Sequence, residues 1–294
     1  MILNNFEESV KTSKSIFPKI SLITPSFNQG SFIEETILSV LNQNYPNLEY
    51  IIIDGGSDDN TLEIIKKYES RLTYWISEKD EGQSDAINKG FKKCSGEIVS
   101  WLNSDDLLAK HALHEISNAF VKYNAQIIVG KSSHWDGTTN LLTPHVNNPE
   151  TFKDLLSYNN GICLPQPSVF YRRVLLIKAD YLSITLNFTM DLDLWLRFGL
   201  IEGINNRIIY IPHLVSLMRT HKDQKTSKQN FLAMKEASMV TLKYASKYKL
   251  NIKARINLLF KNRIFRYNKA LHNKNKYRLL DVFLISKMKK FLTW

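Results

Sequence analysis

Through the first 131 residues, apolar segments of four to six residues alternate with amphipathic segments of about ten, and this alternation constrains the fold more than any other feature. The apolar segments, which we predict to be strands, are residues 20–24, 50–54, 72–77, 97–102 and 126–129. Strands separated by helices need right-handed crossover connections, which set the strands parallel and cover both faces of the sheet. We therefore predict an α/β protein with a Rossmann-like, mainly parallel sheet and helices on both faces.

Three of the predicted helices are preceded by residues that can cap a helix. Ser31 and Glu34 have the spacing of a capping box, Asn60 can cap the next helix, and Ser84 can cap the third. Residues 190–199 form a further helix-like segment that opens with two acids. These positions predict where the helices that cover the sheet begin.

Polar and acidic residues follow the predicted strands. In open α/β sheets, ligands bind beyond the carboxyl ends of the strands. This rule selects four segments for a binding site: residues 24–28, 54–58, 79–85 and 103–106.

Two adjacent acids, Asp105 and Asp106, lie just beyond the fourth predicted strand. Adjacent carboxylates repel each other unless a cation or a hydrogen-bond network shares their charge. Mg²⁺ and Mn²⁺ commonly bridge such carboxylates to substrate phosphates. The same pair would also suit the first turn of a helix continuing through Leu107, so the tetrapeptide alone leaves both interpretations open.

Asp54 ends the second predicted strand and is followed by Gly55 and Gly56. A carboxylate at this place can accept hydrogen bonds from a base or ribose while the glycines let a ligand approach the backbone. An ordinary turn would have the same composition. Residues 24–28 likewise offer backbone donors to a nucleotide, although the segment alone is a weak signal.

Charge is distributed unevenly along the 294 residues. From Lys222 onward there are 19 Lys and Arg against three acids, a local charge of +16, so the preceding residues carry −5 of the total +11. Hydrophobic residues make up 44% of the chain, yet the longest nearly apolar run, residues 279–285, is far too short to span a membrane. Residues 1–15 include acids and no apolar core, so we expect no secretion signal.

The strongly basic segment, residues 243–294, interleaves 15 basic residues with aromatic and aliphatic ones. This pattern suits attachment to an anionic membrane surface, packing of a helical bundle on the main domain, or, least well, nucleic acid, for which no motif is present. Two cysteines without metal-ligand spacing favour a reducing compartment. We expect a cytoplasmic protein, with peripheral attachment to the inner face of the plasma membrane as a hypothesis, and no nucleic-acid partner.

The order of these segments identifies a family. ISLITPSFNQGSFIEETILSVLNQNYPNLEYIIIDGGSDDNT followed by EKDEGQSDAINKGFKKCSGEIVSWLNSDD resembles the inverting family 2 glycosyltransferases of the GT-A fold. The resemblance is specific over residues 18–115 and weaker to about 225. It implies a catalytic domain over 1–228, with a nucleotide-sugar half (18–131) and an acceptor half (132–228), followed by a basic helical extension (229–294).

By this resemblance, a set of residues in the first half holds the nucleotide-diphosphate sugar: Thr24, Pro25, Ser26, Asn28, Asp54, Asp85, Asn88, Asn103 and Ser104. The family's D-x-D element falls on residues 103–105, so asparagine stands where the first aspartate often stands. The resemblance implies Mn²⁺ or Mg²⁺ on Asp105 or Asp106. His221, which follows Arg219, is a further candidate ligand.

The resemblance also places the catalytic base on Asp191, with Asp193 as the fallback and Arg197 as a structural partner. A carboxylate near an acceptor hydroxyl can take its proton as the new bond forms. Helix capping is the other interpretation of Asp191. Gln166 and Ser168 are expected to contact the acceptor.

The implied reaction moves a sugar, most commonly from a UDP-sugar, to a hydroxyl of a saccharide or lipid-linked acceptor with inversion, in bacterial surface polysaccharide synthesis. Lys225 and Ser227 are candidate helpers near the diphosphate. A nucleotidyltransferase and a non-catalytic nucleotide-sugar-binding module are the alternatives. The first would usually carry a glycine-rich and basic phosphate loop, and the second would need no base.

Overall fold

A computed structural model describes residues 17–250, apart from residues 138, 140, 141, 146, 147, 202–207, 223 and 225–229. The strands in this part of the chain are β1 (Ile20–Ser26), β2 (Leu48–Asp54), β3 (Tyr74–Ser77), β4 (Ile98–Trp101), β5 (Leu107–Leu108), β6 (Ile127–Trp135), β7 (Thr143–Pro144), β8 (Val169–Arg172) and β9 (Ile209–Arg219). The α-helices are α1 (Ile33–Leu41), α2 (Thr61–Tyr68), α3 (Gln83–Lys93), α4 (Ala112–Tyr123), α5 (Arg173–Lys178), α6 (Met190–Phe198) and α7 (Asn230–Lys247). Short 3₁₀ helices lie at Glu69–Arg71, Phe152–Asn160 and Gln166–Ser168.

The strands form one mixed sheet in the order β3-β2-β1-β4-β8-β6-β9-β5, with β7 paired to β6. Strands β1 to β4 are parallel, as predicted. Beyond β4 the sheet departs from the predicted pattern, because β8 runs antiparallel to both β4 and β6, while β6 and β9 are parallel. The predicted α/β class is confirmed, and the sheet is parallel in its first half and mixed in its second.

Both faces of the sheet are buried. Successive residues of a strand point to opposite faces, so Ile51 and Ile53 join the core beneath α3, α6 and α7, whereas Tyr50 and Ile52 join the core beneath α1 and α4. A strand covered on both sides reads as a continuous apolar run. This is why β1, β2 and β4 stand out in the sequence, whereas β3, at the edge of the sheet, is only partly buried.

The predicted helix starts lie within two residues of the observed ones, and Asn60 directly precedes α2 as predicted, but none of the three predicted side-chain caps forms. Helix α1 begins at Ile33 without a side-chain cap from Ser31. At the start of α2, the Asp59 carboxylate accepts the Thr61 N–H at 2.9 Å, and Asn60 makes no side-chain cap. Ser84 lies inside α3, which follows Gly82.

The segment after β4 does not enter a helix. Residues 107–108 form the short strand β5, antiparallel to β9, and α4 begins only at Ala112. The Thr36 hydroxyl lies 2.9 Å from the Ser104 carbonyl oxygen and 2.8 Å from that of Asp106, which anchors the turn to α1. The interpretation of the acidic pair as a helix cap is therefore wrong.

The predicted helices at residues 190–199 and after 229 are present as α6 and α7. Residues 251–294, which hold most of the basic segment, lie outside the described residues. No helix in the described part of the chain is long and apolar enough to cross a membrane.

Candidate functional site

A cavity of about 600 Å³ opens at the carboxyl ends of the parallel strands. The first half of the chain contributes Pro25, Ser26, Phe27, Gln29, Asp80, Gly82, Gln83, Ala86, Trp101, Asn103, Asp105 and Asp106. The second half contributes Tyr158, Gln166, Asn187, Phe188, Met190, Asp191, His221 and Gln224. Three of the four segments selected by the strand-end rule reach this cavity with at least one side chain. The fourth, residues 54–58, lies directly behind it.

Asp54 organises the loop behind the cavity. Its side chain is fully buried and accepts hydrogen bonds from the Ser57 hydroxyl (2.5 Å), the Ser57 and Gly56 N–H groups (2.9 and 3.1 Å) and the Ser77 hydroxyl (2.7 Å). Ser26, Asp54 and Ser77 lie in one row across the sheet. Both carboxylate oxygens are thus engaged within the protein, and a direct contact with a nucleotide stays a prediction.

The first strand ends in residues with different roles. Pro25 and Ser26 line the cavity, and the buried Ser26 hydroxyl has no hydrogen-bond partner among the described residues. Thr24 is fully buried, with its hydroxyl 3.1 Å from that of Tyr50. The Asn28 side chain accepts the Asp58 N–H at 3.0 Å instead of lining the cavity. Of the four residues predicted here, Pro25 and Ser26 are the two that line the cavity.

Asn88 does not reach the predicted donor site. Its amide donates to the Leu182 carbonyl at 2.8 Å and accepts the Leu182 N–H at 2.9 Å, so the side chain joins α3 to the segment before α6. Asp85 is also outside the cavity lining: it accepts the Glu81 N–H at 3.2 Å and pairs with Lys89 at 3.5 Å. The prediction that both side chains face the donor is corrected, since Asp80, Gly82 and Gln83 line the cavity there.

Asn103 and the acidic pair form one polar network across the cavity floor. Asn103 accepts a hydrogen bond from Gln83 at 2.8 Å and donates to Gln166 at 3.4 Å and Asp106 at 3.3 Å. Burial, together with the negative charge of Asp105, raises the pKa of Asp106 well above its ordinary value. The Ser104 side chain is buried beside the network and does not line the cavity.

Arg219, at the end of β9, holds the acidic pair in place. Its N–H donates to the Asp106 carboxylate at 3.1 Å and its Nε to the Asp105 carbonyl at 3.1 Å, while its guanidinium pairs with Glu35 at 2.6 Å. The guanidinium carbon lies 4.7 Å from the centroid of the Trp135 ring. A strand from the second half of the chain thus fixes the loop after β4.

Asp105 and His221 present a donor set that fits a divalent cation. His221 Nε2 lies 3.0 Å from the Asp105 carboxylate, and its buried Nδ1 has no partner among the described residues. Asp106 is buried and bonded to Arg219, so Asp105 is the more accessible carboxylate. No three His, Cys, Asp or Glu side chains in the described segments converge as a metal cage. The set therefore suits an ion that also binds substrate phosphates, as Mg²⁺ and Mn²⁺ commonly do.

Asp191 lies on the other wall of the cavity, in the first turn of α6. Burial raises the pKa of its carboxyl to about 6, and the charge of Glu236 adds a smaller upward contribution. The carboxylate accepts the N–H of Leu192 at 2.7 Å. A carboxylate with a pKa near 6 facing a cavity can accept a proton at neutral pH.

Asp193, the fallback base, is a structural residue. It lies on α6 and is buried against α7, where it pairs with Arg197 at 2.8 Å and accepts the Tyr244 hydroxyl at 2.8 Å. The predicted partnership with Arg197 is confirmed. Since Asp193 does not line the cavity, the prediction of a fallback base is wrong.

Gln166 lines the cavity as expected of an acceptor-side residue, whereas Ser168 is buried and bonded to Ser216 at 2.6 Å. Lys225 and Ser227 lie outside the described residues. The sequence analysis missed four cavity residues in the second half of the chain, where no periodic pattern marks them: Tyr158, Asn187, Phe188 and Gln224. Phe27, which is 59% exposed, and Asp80 lie in segments that the strand-end rule selected but were not named as site residues.

The fold and this cavity define a class of α/β proteins that bind a ligand at the carboxyl ends of parallel strands, with an acidic pair on one wall and a single carboxylate on the other. The chain belongs to glycosyl transferase family 2, whose model matches residues 21–179. That match covers the acidic pair and ends before Asp191 and His221.

A curated relative illustrates the family. Poly(ribitol-phosphate) β-N-acetylglucosaminyltransferase TarP of Staphylococcus aureus is 41% identical over 118 residues, 38% of this chain and 36% of TarP. In eight curated relatives, all named as glycosyltransferases, the matched segment spans 31–66% of the relative's own length.

Solved structures share the fold. S. aureus TarS 1–349 in complex with UDP-GlcNAc superposes with a TM-score of 0.67 at 19% identity, covering 88% of this chain and 76% of TarS 1–349. A mannosyltransferase from Pyrobaculum calidifontis, in complex with GDP-Man and Mn²⁺, gives 0.57 at 16% identity, covering 94% and 81%. At these identities the likeness is one of fold alone.

Proposed function

We propose that this protein transfers a sugar from a nucleotide-diphosphate sugar, a UDP-sugar in the first instance, to a hydroxyl of a saccharide or lipid-linked acceptor with inversion. One observation carries the proposal: Asp191, whose carboxyl has a pKa raised to about 6, lines the same cavity as Asp105 and His221. A cavity that holds both a base and a group able to bind phosphates suits a displacement in which an acceptor hydroxyl replaces a diphosphate.

In the proposed step, the acceptor oxygen attacks the anomeric carbon as the bond from that carbon to the diphosphate oxygen breaks. Asp191 takes the hydroxyl proton, and the nucleoside diphosphate leaves with the electron pair of the broken bond. A single displacement inverts the anomeric carbon. Asp105 and His221 would hold Mn²⁺ or Mg²⁺, which when bound would neutralise the negative charge that develops on the leaving diphosphate.

The two halves of the domain divide this work. Pro25, Ser26 and Asn103 lie on the side proposed to bind the donor, within residues 18–131. Gln166 and Asp191 lie on the side proposed to bind the acceptor, within residues 132–228. Both sides meet at the cavity, so donor and acceptor would be held next to each other, and we place the catalytic domain at residues 1–228.

The names of relatives support a role in bacterial surface polysaccharide synthesis. TarP is named for transfer of N-acetylglucosamine to poly(ribitol phosphate), and the TarS structure contains UDP-GlcNAc. We assign UDP-GlcNAc as the first donor to test. A cytoplasmic location with peripheral attachment to the membrane through residues 243–294 belongs to the same proposal.

The experiment is release of nucleoside diphosphate from a panel of UDP- and GDP-sugars, with and without Mn²⁺, in the presence of cell-envelope acceptor fractions. We expect release from one donor class, dependent on Mn²⁺ or Mg²⁺, and loss of transfer by about 10²–10⁴-fold in Asp191→Asn, the usual contribution of a general base. The variant should bind UDP like the parent protein. If no donor in the panel reacted under either metal condition, the proposal would fail.

A further inference from the structure

Glu236 of α7 reaches across to the segment that precedes α6. Its carboxylate accepts the N–H groups of Asn187 at 3.0 Å, Phe188 at 2.8 Å and Thr189 at 2.9 Å, and the hydroxyl of Thr189 at 2.8 Å. One side chain therefore satisfies four donors on three consecutive residues.

These donors belong to the wall of the cavity. Asn187 and Phe188 line it, and Asp191 follows two residues after Thr189. Thr189 directly precedes α6 and its side chain makes no capping bond to the helix. Glu236 binds the three residues just before the helix, not the N–H groups of its first turn. An acid from another helix supplies the negative charge that favours a helix start.

Helix α7 continues along α6 beyond this point. The Tyr244 hydroxyl donates to Asp193 at 2.8 Å, and the Tyr248 hydroxyl donates to the Leu196 carbonyl at 2.8 Å. Tyr244 lies two turns of helix after Glu236, and Tyr248 directly follows the last residue of α7. Successive residues from Glu236 to Tyr248 thus contact successive residues of α6 and the segment before it, from its start to its last turn.

We infer that Glu236 is a positioning residue for transfer: it fixes the cavity wall at residues 187–189 and, with it, the place of Asp191. The inference rests on the proposed role of Asp191 as the base. Positioning matters because small displacements of a reacting group cost large factors in rate. It also gives α7, which lies beyond the segment matched by the family model, a part in the reaction.

The charge of Glu236 supplies a second effect. Tyr158, Cys163 and Glu236 interact electrostatically with Asp191. Burial raises the pKa of the Tyr158 hydroxyl, and burial raises the pKa of the Cys163 thiol to about 11, so both are neutral at pH 7. Of these three groups Glu236 is the charged one, and its removal would lower the pKa of Asp191.

The test compares Glu236→Ala and Glu236→Gln with Lys235→Ala, a control at an exposed position of the same helix turn. Activity is measured with the donor that the panel identifies, and amide hydrogen exchange is followed at residues 187–192. For Glu236→Ala we expect kcat to fall by about tenfold or more with the donor KM unchanged, and the amides of residues 187–189 to exchange about tenfold faster.

Glu236→Gln separates the effect of the Glu236 hydrogen bonds from the effect of its charge. A glutamine oxygen can keep the three hydrogen bonds accepted by one carboxylate oxygen, so kcat at high pH should stay within about threefold of the parent while the acidic limb of the pH profile moves to lower pH. Lys235→Ala should change neither kcat nor amide exchange.

The inference is overturned if Glu236→Ala keeps kcat and amide exchange within about twofold of the parent protein, the range expected of a surface change. A rise in the donor KM with unchanged kcat would overturn it as well. Failure of the proposed function would look different: the parent protein itself would transfer no sugar, or Asp191→Asn would transfer normally. The exchange measurement needs no substrate, so it reports on the hydrogen bonds between Glu236 and residues 187–189 whether or not the proposed function is correct.

Discussion

Asp191 and Asp193 are two residues apart on one helix and face opposite environments. Asp191 faces the cavity and has no cationic partner among its described contacts, whereas Asp193 is buried against Arg197, Tyr244 and Lys243. A helix turns by about 100° per residue, so side chains two apart point to nearly opposite sides. The same residue type is therefore proposed as a base at one position and serves as an anchor at the other.

The raised pKa of Asp191 predicts the pH dependence of the reaction. A base must be deprotonated to act, so kcat should fall as pH drops through about 6. A profile of kcat from pH 5 to 8 in the parent protein checks this. A flat profile across that range would contradict the assignment of Asp191 as the base.

The same shift predicts that Asp191 costs stability. A carboxyl whose pKa is raised by folding binds its proton more tightly in the folded state, so folding stability is lost as pH rises from about 4 to about 6. Asp191→Asn removes this cost and should raise the free energy of unfolding by about 2 kcal/mol at pH 8, after allowance for partial exposure, and by much less at pH 4. Urea unfolding at both pH values measures the difference, and an equal gain at both would contradict the prediction.

Asp193 should behave in the opposite way. Asp193→Asn leaves the half-buried Arg197 guanidinium without its carboxylate, so we expect a loss on the order of 3 kcal/mol in the free energy of unfolding at pH 8. Donor affinity should be unchanged, because Asp193 does not line the cavity. Asp191→Asn, on the same helix, is the matched control, and a loss similar in the two variants would refute the distinction.

At the scale of elements, side chains distant in sequence join the helices to one another. Asn88 of α3 holds both backbone groups of Leu182, Arg219 of β9 holds the loop after β4, and Glu236 of α7 holds the start of α6. Each bond crosses from one half of the chain to the other or from the extension to the domain. The cavity thus depends on contacts between elements as well as on its lining residues.

Features encoded by local sequence could be predicted, and those that depend on contacts between distant segments could not. Strands β1 to β4 were placed within two residues. Burial on both faces leaves apolar runs in β1, β2 and β4, and the partly buried edge strand β3 is marked by its aromatic and aliphatic residues. The pairing of β8 between β4 and β6 brings together segments about 70 residues apart in sequence, such as Ile98 and Arg172, and no local pattern encodes it. Asn88 was assigned to the donor site because it matches a family motif. Whether its amide faces a ligand or the Leu182 backbone depends on a segment 94 residues later in the chain, which no motif around Asn88 predicts.

The structural role of Asn88 is testable by Asn88→Ala. Removing the amide leaves the buried N–H and C=O of Leu182 unpaired, which should cost about 2 kcal/mol in the free energy of unfolding. Asp85→Ala, which removes a partly exposed ion pair on the same helix, should cost less than about 1 kcal/mol. UDP titration completes the test: a large loss of UDP affinity in Asn88→Ala without a loss of stability would restore its predicted place at the donor.

At the scale of the whole molecule, charge separates the catalytic domain from the C-terminal segment. Residues 251–294 hold 12 Lys and Arg and one acid, which equals the entire net charge of +11, so a variant ending at residue 250 is neutral overall. The acidic pair and Asp191 therefore belong to a part of the chain with little net charge. We therefore predict that any long-range attraction to an anionic surface comes from residues 251–294.

Binding to phospholipid vesicles tests this separation. We expect the full chain to sediment with vesicles containing anionic phosphatidylglycerol and to remain free with neutral phosphatidylcholine, because each basic residue near an anionic surface contributes about 1 kcal/mol. Raising the salt from about 0.1 M to 1 M shortens the screening length from about 10 Å to 3 Å and should release the protein. The variant ending at residue 250 should not bind either vesicle. Binding that survives high salt, or that persists without residues 251–294, would show that the charge of these residues does not carry the attachment.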